Sequence, residues 1–264
     1  MHMFHIYLGE DSSSLEKTAA NDLVDDLELI TTKKANIHQI NEEFLSEEED
    51  LQFPDDGDLI IVGTPDSNPL IKHFIIKKEI SLTKENPGPR GRLIHLAKDV
   101  RLKNRELFLI LGGSDAQGTQ YSIYDFCSEY LGVDPFRFWT CIEPTKDENF
   151  NISKVNSEMI DPPLVPILAY FDNDNDELAN ITKPYLEFGF KHWKEIINTL
   201  VRLRYNVIDI HDHLGRAEFY RWPHYQKIRP DYEPNTELLN KINAGLKEVK
   251  ESGKFNELIA KYFQ

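Results

Sequence analysis

Leu107-Phe-Leu-Ile-Leu111 runs straight into Gly112-Gly113, and the pattern then changes period. A short apolar run closed by glycine reads as a buried strand, and the amphipathic stretch over 117–131 reads as a helix packed back on it. An aromatic segment, Pro135-Phe-Arg-Phe-Trp139, follows. A strand that turns at once into a helix needs a sheet to hold the strand and a layer to hold the helix. That arrangement restricts this part of the chain to an α/β layer.

The residues before it repeat the theme. Residues 3–8 alternate as a strand, and Ser12-Ser13-Ser14 offers an N-cap to a helix carrying Leu15, Ala19, Leu23, Leu27 and Ile30 on one face. Residues 35–40 read as a strand. Phe53-Pro-Asp-Asp-Gly-Asp58 reads as a turn before the buried strand Leu59-Ile-Ile-Val62. A helix is expected near 68–78, a loop over Glu85-Asn-Pro-Gly-Pro-Arg-Gly91, and a strand at 92–97. The fold class expected is α/β, with an N-terminal α/β domain of packed helices and sheet over 1–142. The polar stretch 143–163, ending in Asp161-Pro-Pro163, reads as a linker.

Residues 164–264 open differently. Leu164-Val-Pro-Ile-Leu-Ala-Tyr-Phe171 reads as a buried strand ending in the polar burst Asp172-Asn-Asp-Asn-Asp-Glu177. A helix over 184–203 shows Trp193, Ile196, Ile197, Leu200 and Leu203 at helical intervals. A second strand, 205–210, then ends in His211-Asp-His213. This is one β-α-β unit, a crossover that is right-handed and parallel in nearly all cases. In β/α barrels the polar residues at C-terminal strand ends line the active site.

Three groups of residues carry candidate chemistry. Asp172, Asp174, Asp176 and Glu177 offer the paired carboxylates that glycoside hydrolysis uses. They also offer oxygen ligands for calcium, and Asp and Asn equally suit a plain turn. The glycine and terminal glutamate of an EF-hand loop are absent. His211 and His213 alternate, with Asp212 between them, so both imidazoles fall on one strand face. They suit sugar hydroxyls; no HExxH helix accompanies them to support a metal. Phe219-Tyr-Arg-Trp-Pro-His-Tyr225 brings Trp222 and other aromatics that either stack on sugar rings or close a core. The expected substrate-binding set is Asp172, Asp174, His211, Asp212, His213 and Trp222, with no catalytic residue assigned and no metal or cofactor expected. Gly112-Gly-Ser-Asp-Ala-Gln-Gly118 lacks the lysine of a phosphate loop and the spacing of a dinucleotide turn, so its glycines are read as packing devices. No nucleophile elbow of the GxSxG kind occurs.

Charge narrows the partners. The net charge is −15, leaving no basic surplus to displace counterions from nucleic acid or to dock on an anionic membrane. No apolar run approaches the ~20 residues of a membrane span, and the first residues read as a strand rather than a signal peptide. Two cysteines, Cys127 and Cys141, are too few for a disulfide framework. Cys127 is expected in the core.

Asp58-Leu-Ile-Ile-Val-Gly-Thr64, Asn68-Pro-Leu-Ile71 and Gly113-Ser-Asp-Ala-Gln-Gly-Thr-Gln-Tyr-Ser-Ile-Tyr-Asp125 together resemble the N-terminal domain of α-glucuronidases of glycoside hydrolase family 115. The likeness runs more weakly through the β-α-β unit to about Asn240. It implies an accessory α/β domain followed by a catalytic barrel, carboxylate chemistry, a glucuronoxylan-like glycan as partner, and a secreted or periplasmic setting, with a cytoplasmic one left open by the sequence itself. A full eightfold barrel takes about 250 residues. The expectation for 164–264 is therefore a truncated β/α-barrel-like segment, incomplete or non-catalytic, closed by C-terminal helices. The alternative is a carbohydrate- or solute-binding module without catalysis. Residues 240–263 separately resemble the C-terminal end of extracellular solute-binding proteins.

Overall fold

The computed structural model describes residues 3–45, 53–97, 107–171 and 190–209, with short helical pieces between 240 and 252. The chain divides into two compact units, Met1–Leu168 with Glu187–Asn206, and Ala169–Leu186 with Val207–Gln264.

The first unit is built on a six-stranded sheet. Its strands are β1 (Phe4–Gly9), β2 (Ala35–Ile40), β3 (Asp58–Gly63), β4 (Arg92–Ala97), β5 (Phe108–Gly113) and β6 (Glu158–Ile160), in the order β2-β1-β3-β5-β4-β6. The first four in that order are parallel, and β4 runs antiparallel to β5 and β6. Period-two alternation divides each central strand between two cores. Phe4, Ile6, Leu8, Ile60, Val62, Leu109 and Leu111 meet α1 (Ser14–Thr31) and α3 (Ala116–Glu129) on one face. Tyr7, Leu59, Ile61, Phe108 and Ile110 meet α2 (Pro69–Ile76) on the other. The result is a three-layer α/β/α unit with helices packed on a mixed sheet. Each apolar side chain fully buried there contributes about 1.5–3 kcal/mol.

Local signals set the helix starts. Ser13 caps α1 in a capping box: its Oγ accepts from the Glu16 N–H, and the Glu16 carboxylate accepts from the Ser13 N–H at 2.7 Å. Asn68 caps α2, with Pro69 in its first turn, and donates through Nδ2 to the carbonyls of Tyr7 and Val62. Asp115 caps α3 by accepting from the Gly118 N–H at 2.7 Å. The glycines around this turn act as packing devices. A Cβ on Gly113 would lie 1.9 Å from the Thr119 nitrogen, and one on Gly118 would lie 2.3 Å from the Gly91 oxygen.

Two sequence expectations change. The stretch 143–163 is not a bare tether. Phe150, Ile152 and Val155 are buried in the core beside α1 and α3, and β6 extends the sheet. Polar neighbours conceal this, because only every second or third residue turns inward. Leu164–Phe171 is not one buried strand. Leu164 is fully exposed, with Val165 and Ile167 more than half exposed, and only β7 (Ala169–Phe171) is a strand. Pro163 and Pro166 supply no N–H to a ladder, so pairing begins only beyond them. Cys127 lies in the core and Cys141 is exposed; both are free thiols.

The first unit also holds α4 (Arg137–Thr140), which precedes β6 in the chain, and α5 (Phe190–Arg202), which follows it. The second unit contributes β7 and β8 (Val207–Asp209), a parallel pair in which Phe171 lies opposite Asp209.

Candidate functional site

In the second unit, parallel register makes β7 and β8 finish together, so the chain leaves Phe171 and Asp209 at the same sheet end. The expected site residues follow immediately in sequence: Asp172 and Asp174 after β7, and His211, Asp212 and His213 after β8. These five, and Trp222, lie outside the described residues. Asp209, the last strand residue, is exposed at that end and escaped the sequence reading because it was counted as strand interior. Among the described residues, no group of three or more His, Cys, Asp or Glu is arranged to hold a metal ion.

The corresponding edge of the first sheet is also polar, and its groups bind one another. Ser67 Oγ donates to Glu16 Oε1 at 2.6 Å, while the other Glu16 oxygen accepts from Ser13 N–H and Oγ. Thr64 and Ser67 exchange backbone and hydroxyl hydrogen bonds. Glu16 is only 2% exposed. A buried carboxylate that accepts three hydrogen bonds ties the loop after β1 to the loop after β3, and its burial leaves it turned to the protein rather than to a ligand.

A second polar assembly in the first unit surrounds α1, α3 and α5. Asp26, on α1, is completely buried and accepts from Arg202 at 2.7 Å and from Arg137 at 3.3 Å. Arg202 lies over the Tyr124 ring at 4.7 Å, and Tyr124 donates to Asp22 at 2.6 Å. Arg204 lies over the Tyr121 ring at 5.3 Å and pairs with Asp125, which also pairs with Arg92. Burial pushes the Asp22 carboxyl up, against the Tyr124 hydrogen bond and the charge of Arg202. Burial likewise drives the Tyr124 phenol and the Cys127 thiol well up. Burial, reinforced by neighbouring Arg92, pulls the Arg204 guanidinium down to about 10. For Arg202, burial acts downward most strongly, and Asp26, Cys127 and Tyr124 together outweigh it to give a net rise. Sequence reasoning missed this assembly. Its local signal is the Tyr121, Tyr124, Asp125 face of α3, answered by Arg202-Leu-Arg204 after α5.

No family model matches the chain. A UPF0252 protein of Methanocaldococcus jannaschii is 37% identical over 101 residues, covering 38% of this chain and 27% of that protein. Among solved structures, a family GH115 4-O-methyl-α-glucuronidase with specificity for decorated arabinogalactans matches with a TM-score of 0.56. That match has 24% identity and covers 78% of this chain and 24% of the enzyme. The chain therefore spans about a quarter of the length of either relative, and it shares its fold with part of the enzyme. The C-terminal likeness to solute-binding proteins gains no support from these comparisons.

Proposed function

We propose that this chain is a carbohydrate-active protein of α-glucuronidase type. In this reading the six-stranded sheet with α1, α2 and α3 is the non-catalytic accessory domain. The segment from 164 onward is the opening of a β/α barrel whose strand ends bind a uronic-acid-bearing glycan. The observation that carries the reading is the parallel β7–β8 pair. Its strands end in register, and each is followed at once by Asp- and His-rich sequence, within a chain whose fold matches a glycoside hydrolase. Asp172 and Asp174 would accept from sugar hydroxyls, His211 and His213 would donate or accept, Asp212 would accept, and Trp222 would stack on a pyranose face. No catalytic pair is assigned. The partner class is a glucuronoxylan-like glycan, as the family resemblance implies, or a decorated arabinogalactan, for which the matched enzyme is named specific.

Isothermal titration with glucuronic-acid-substituted xylo-oligosaccharides tests this. Saturable binding should fall at least tenfold when His211, Asp212 and Trp222 are all changed to Ala, with the thermal midpoint unchanged. Equal affinity in that variant would remove the strand-end site. Release of glucuronic acid by the chain would place it among the hydrolases, and binding without release would make it a binding module.

A further inference from the structure

A pocket of about 230 Å³ opens beside the arginine assembly in the first unit, lined by Tyr124, Asp125, Ser128, Pro135, Arg202 and Arg204. Its charges are unevenly matched. Arg92 and Arg204 share the carboxylate of Asp125, and Arg137 and Arg202 share that of Asp26. Four guanidiniums thus meet two carboxylates. Asp22 makes no ion pair with these arginines: its Oδ2 accepts from Tyr124, and it acts on Arg202 through its charge. Glu158 acts on Arg92 only through its charge. In direct ion pairs, then, guanidiniums outnumber carboxylates here two to one, in a chain of net charge −15.

Two donors confirm that the assembly is not closed on itself. Arg202 is 7% exposed, yet its Nε has no hydrogen-bond partner; the Tyr121 hydroxyl, also buried, has none either. Buried polar groups of this kind are rare in folded proteins and call for an explanation. Arg204 is held down to about 10 first by burial and then by the neighbouring Arg92 guanidinium, with which it shares Asp125. Guanidiniums are the side chains best matched to a carboxylate, which they can grip with two parallel hydrogen bonds. The rest of the wall is mixed: Pro135 offers an apolar surface, Asp125 an acceptor and Ser128 a hydroxyl. The volume lies below the 300–1,000 Å³ typical of drug-sized ligands, at the scale of one small ring.

We propose that this pocket is a separate sugar-acid site, taking a single hexuronate with its carboxylate on Arg202 and Arg204 and its hydroxyls toward Asp125 and Ser128. The anion assignment stands on the pocket alone, and the choice of a sugar rests on the function proposed above.

The test is titration of the full chain with glucuronate, glucose and inorganic phosphate. Exposed Ser128→Trp fills the pocket without touching the core, and Arg204→Gln removes one cation. Saturable glucuronate binding is expected, weakened at least tenfold in either variant, unaffected by His211→Ala, and absent with glucose. Phosphate binding as tight as glucuronate would overturn the sugar assignment. Failure of glucuronate to saturate, or equal affinity in wild type and Ser128→Trp, would overturn the site. Loss in His211→Ala with retention in Ser128→Trp would move the anion to the β7–β8 end, overturning this inference while supporting the function above. Loss only in Ser128→Trp and Arg204→Gln supports this pocket whatever becomes of the strand-end reading.

Discussion

At the ends of β1 and β3, Glu16 holds Ser13 and Ser67, Asn68 holds the carbonyls of Tyr7 and Val62, and the two loops are fastened together. At the ends of β7 and β8, the strands finish side by side and the sequence passes directly into Asp172 and His211. Both edges are carboxyl ends of parallel strands, the place where α/β proteins usually bind ligands. In the first sheet the polar groups there serve structure. A carboxylate that already accepts from Ser13 and Ser67 cannot turn to a sugar without leaving those donors unpaired, at about 1–3 kcal/mol each. Polar residues at a strand end thus mark a site only when the surrounding backbone has not already claimed them.

The strongest way to break the comparison is through Asp26. Asp26→Ala leaves the buried Arg202 guanidinium without its carboxylate, and should cost the first unit about 3–5 kcal/mol in urea unfolding. A loss under about 1 kcal/mol would mean that α5 does not depend on this bridge. Glu16→Ala comes next. It removes half of a capping box and the Ser67 link, for an expected loss of about 1–2 kcal/mol with glycan affinity unchanged. Weaker glycan binding in that variant would erase the distinction between the two edges.

The smallest effect is at Glu28. The Ala35 N–H and then Lys34 hold its carboxyl below the usual carboxylate range. A lowered folded value favours the charged form in the folded state. Its stabilisation is therefore present above pH 4.5, the ordinary value, and is lost as pH falls through the folded one. Glu28→Gln should cost no more than about 0.5 kcal/mol at pH 7, after solvent screening, with the gap from wild type closing in acid. A gap that persists in acid, once the carboxyl is protonated in both states, would assign the effect to something other than charge.

Much of the first sheet was legible because its signals are local. Leu59–Val62 and Leu107–Leu111 are unbroken apolar runs bounded by glycine and turn residues, and Ser13 with Glu16 spells a capping box. Phe150, Ile152 and Val155 were not legible, since each stands among polar residues and finds its place only against α1 and α3. Leu164 to Leu168 misled in the opposite direction: an apolar composition looked like a buried strand, and Pro166 prevented one. The arginine assembly was out of reach for a different reason. Arg202 and Asp26 are 176 residues apart, and no periodicity connects them. The strand-end candidates were legible as residue types, and register adds that β7 and β8 end together.

Hydrogen–deuterium exchange of the full chain, with and without a glucuronic-acid-substituted oligosaccharide, tests the contrast between the two edges most directly. The account expects added protection in peptides covering 172–177 and 211–222, and none over 64–68 or 113–118. Protection confined to the first sheet's edge, with no change after β7 and β8, would contradict it.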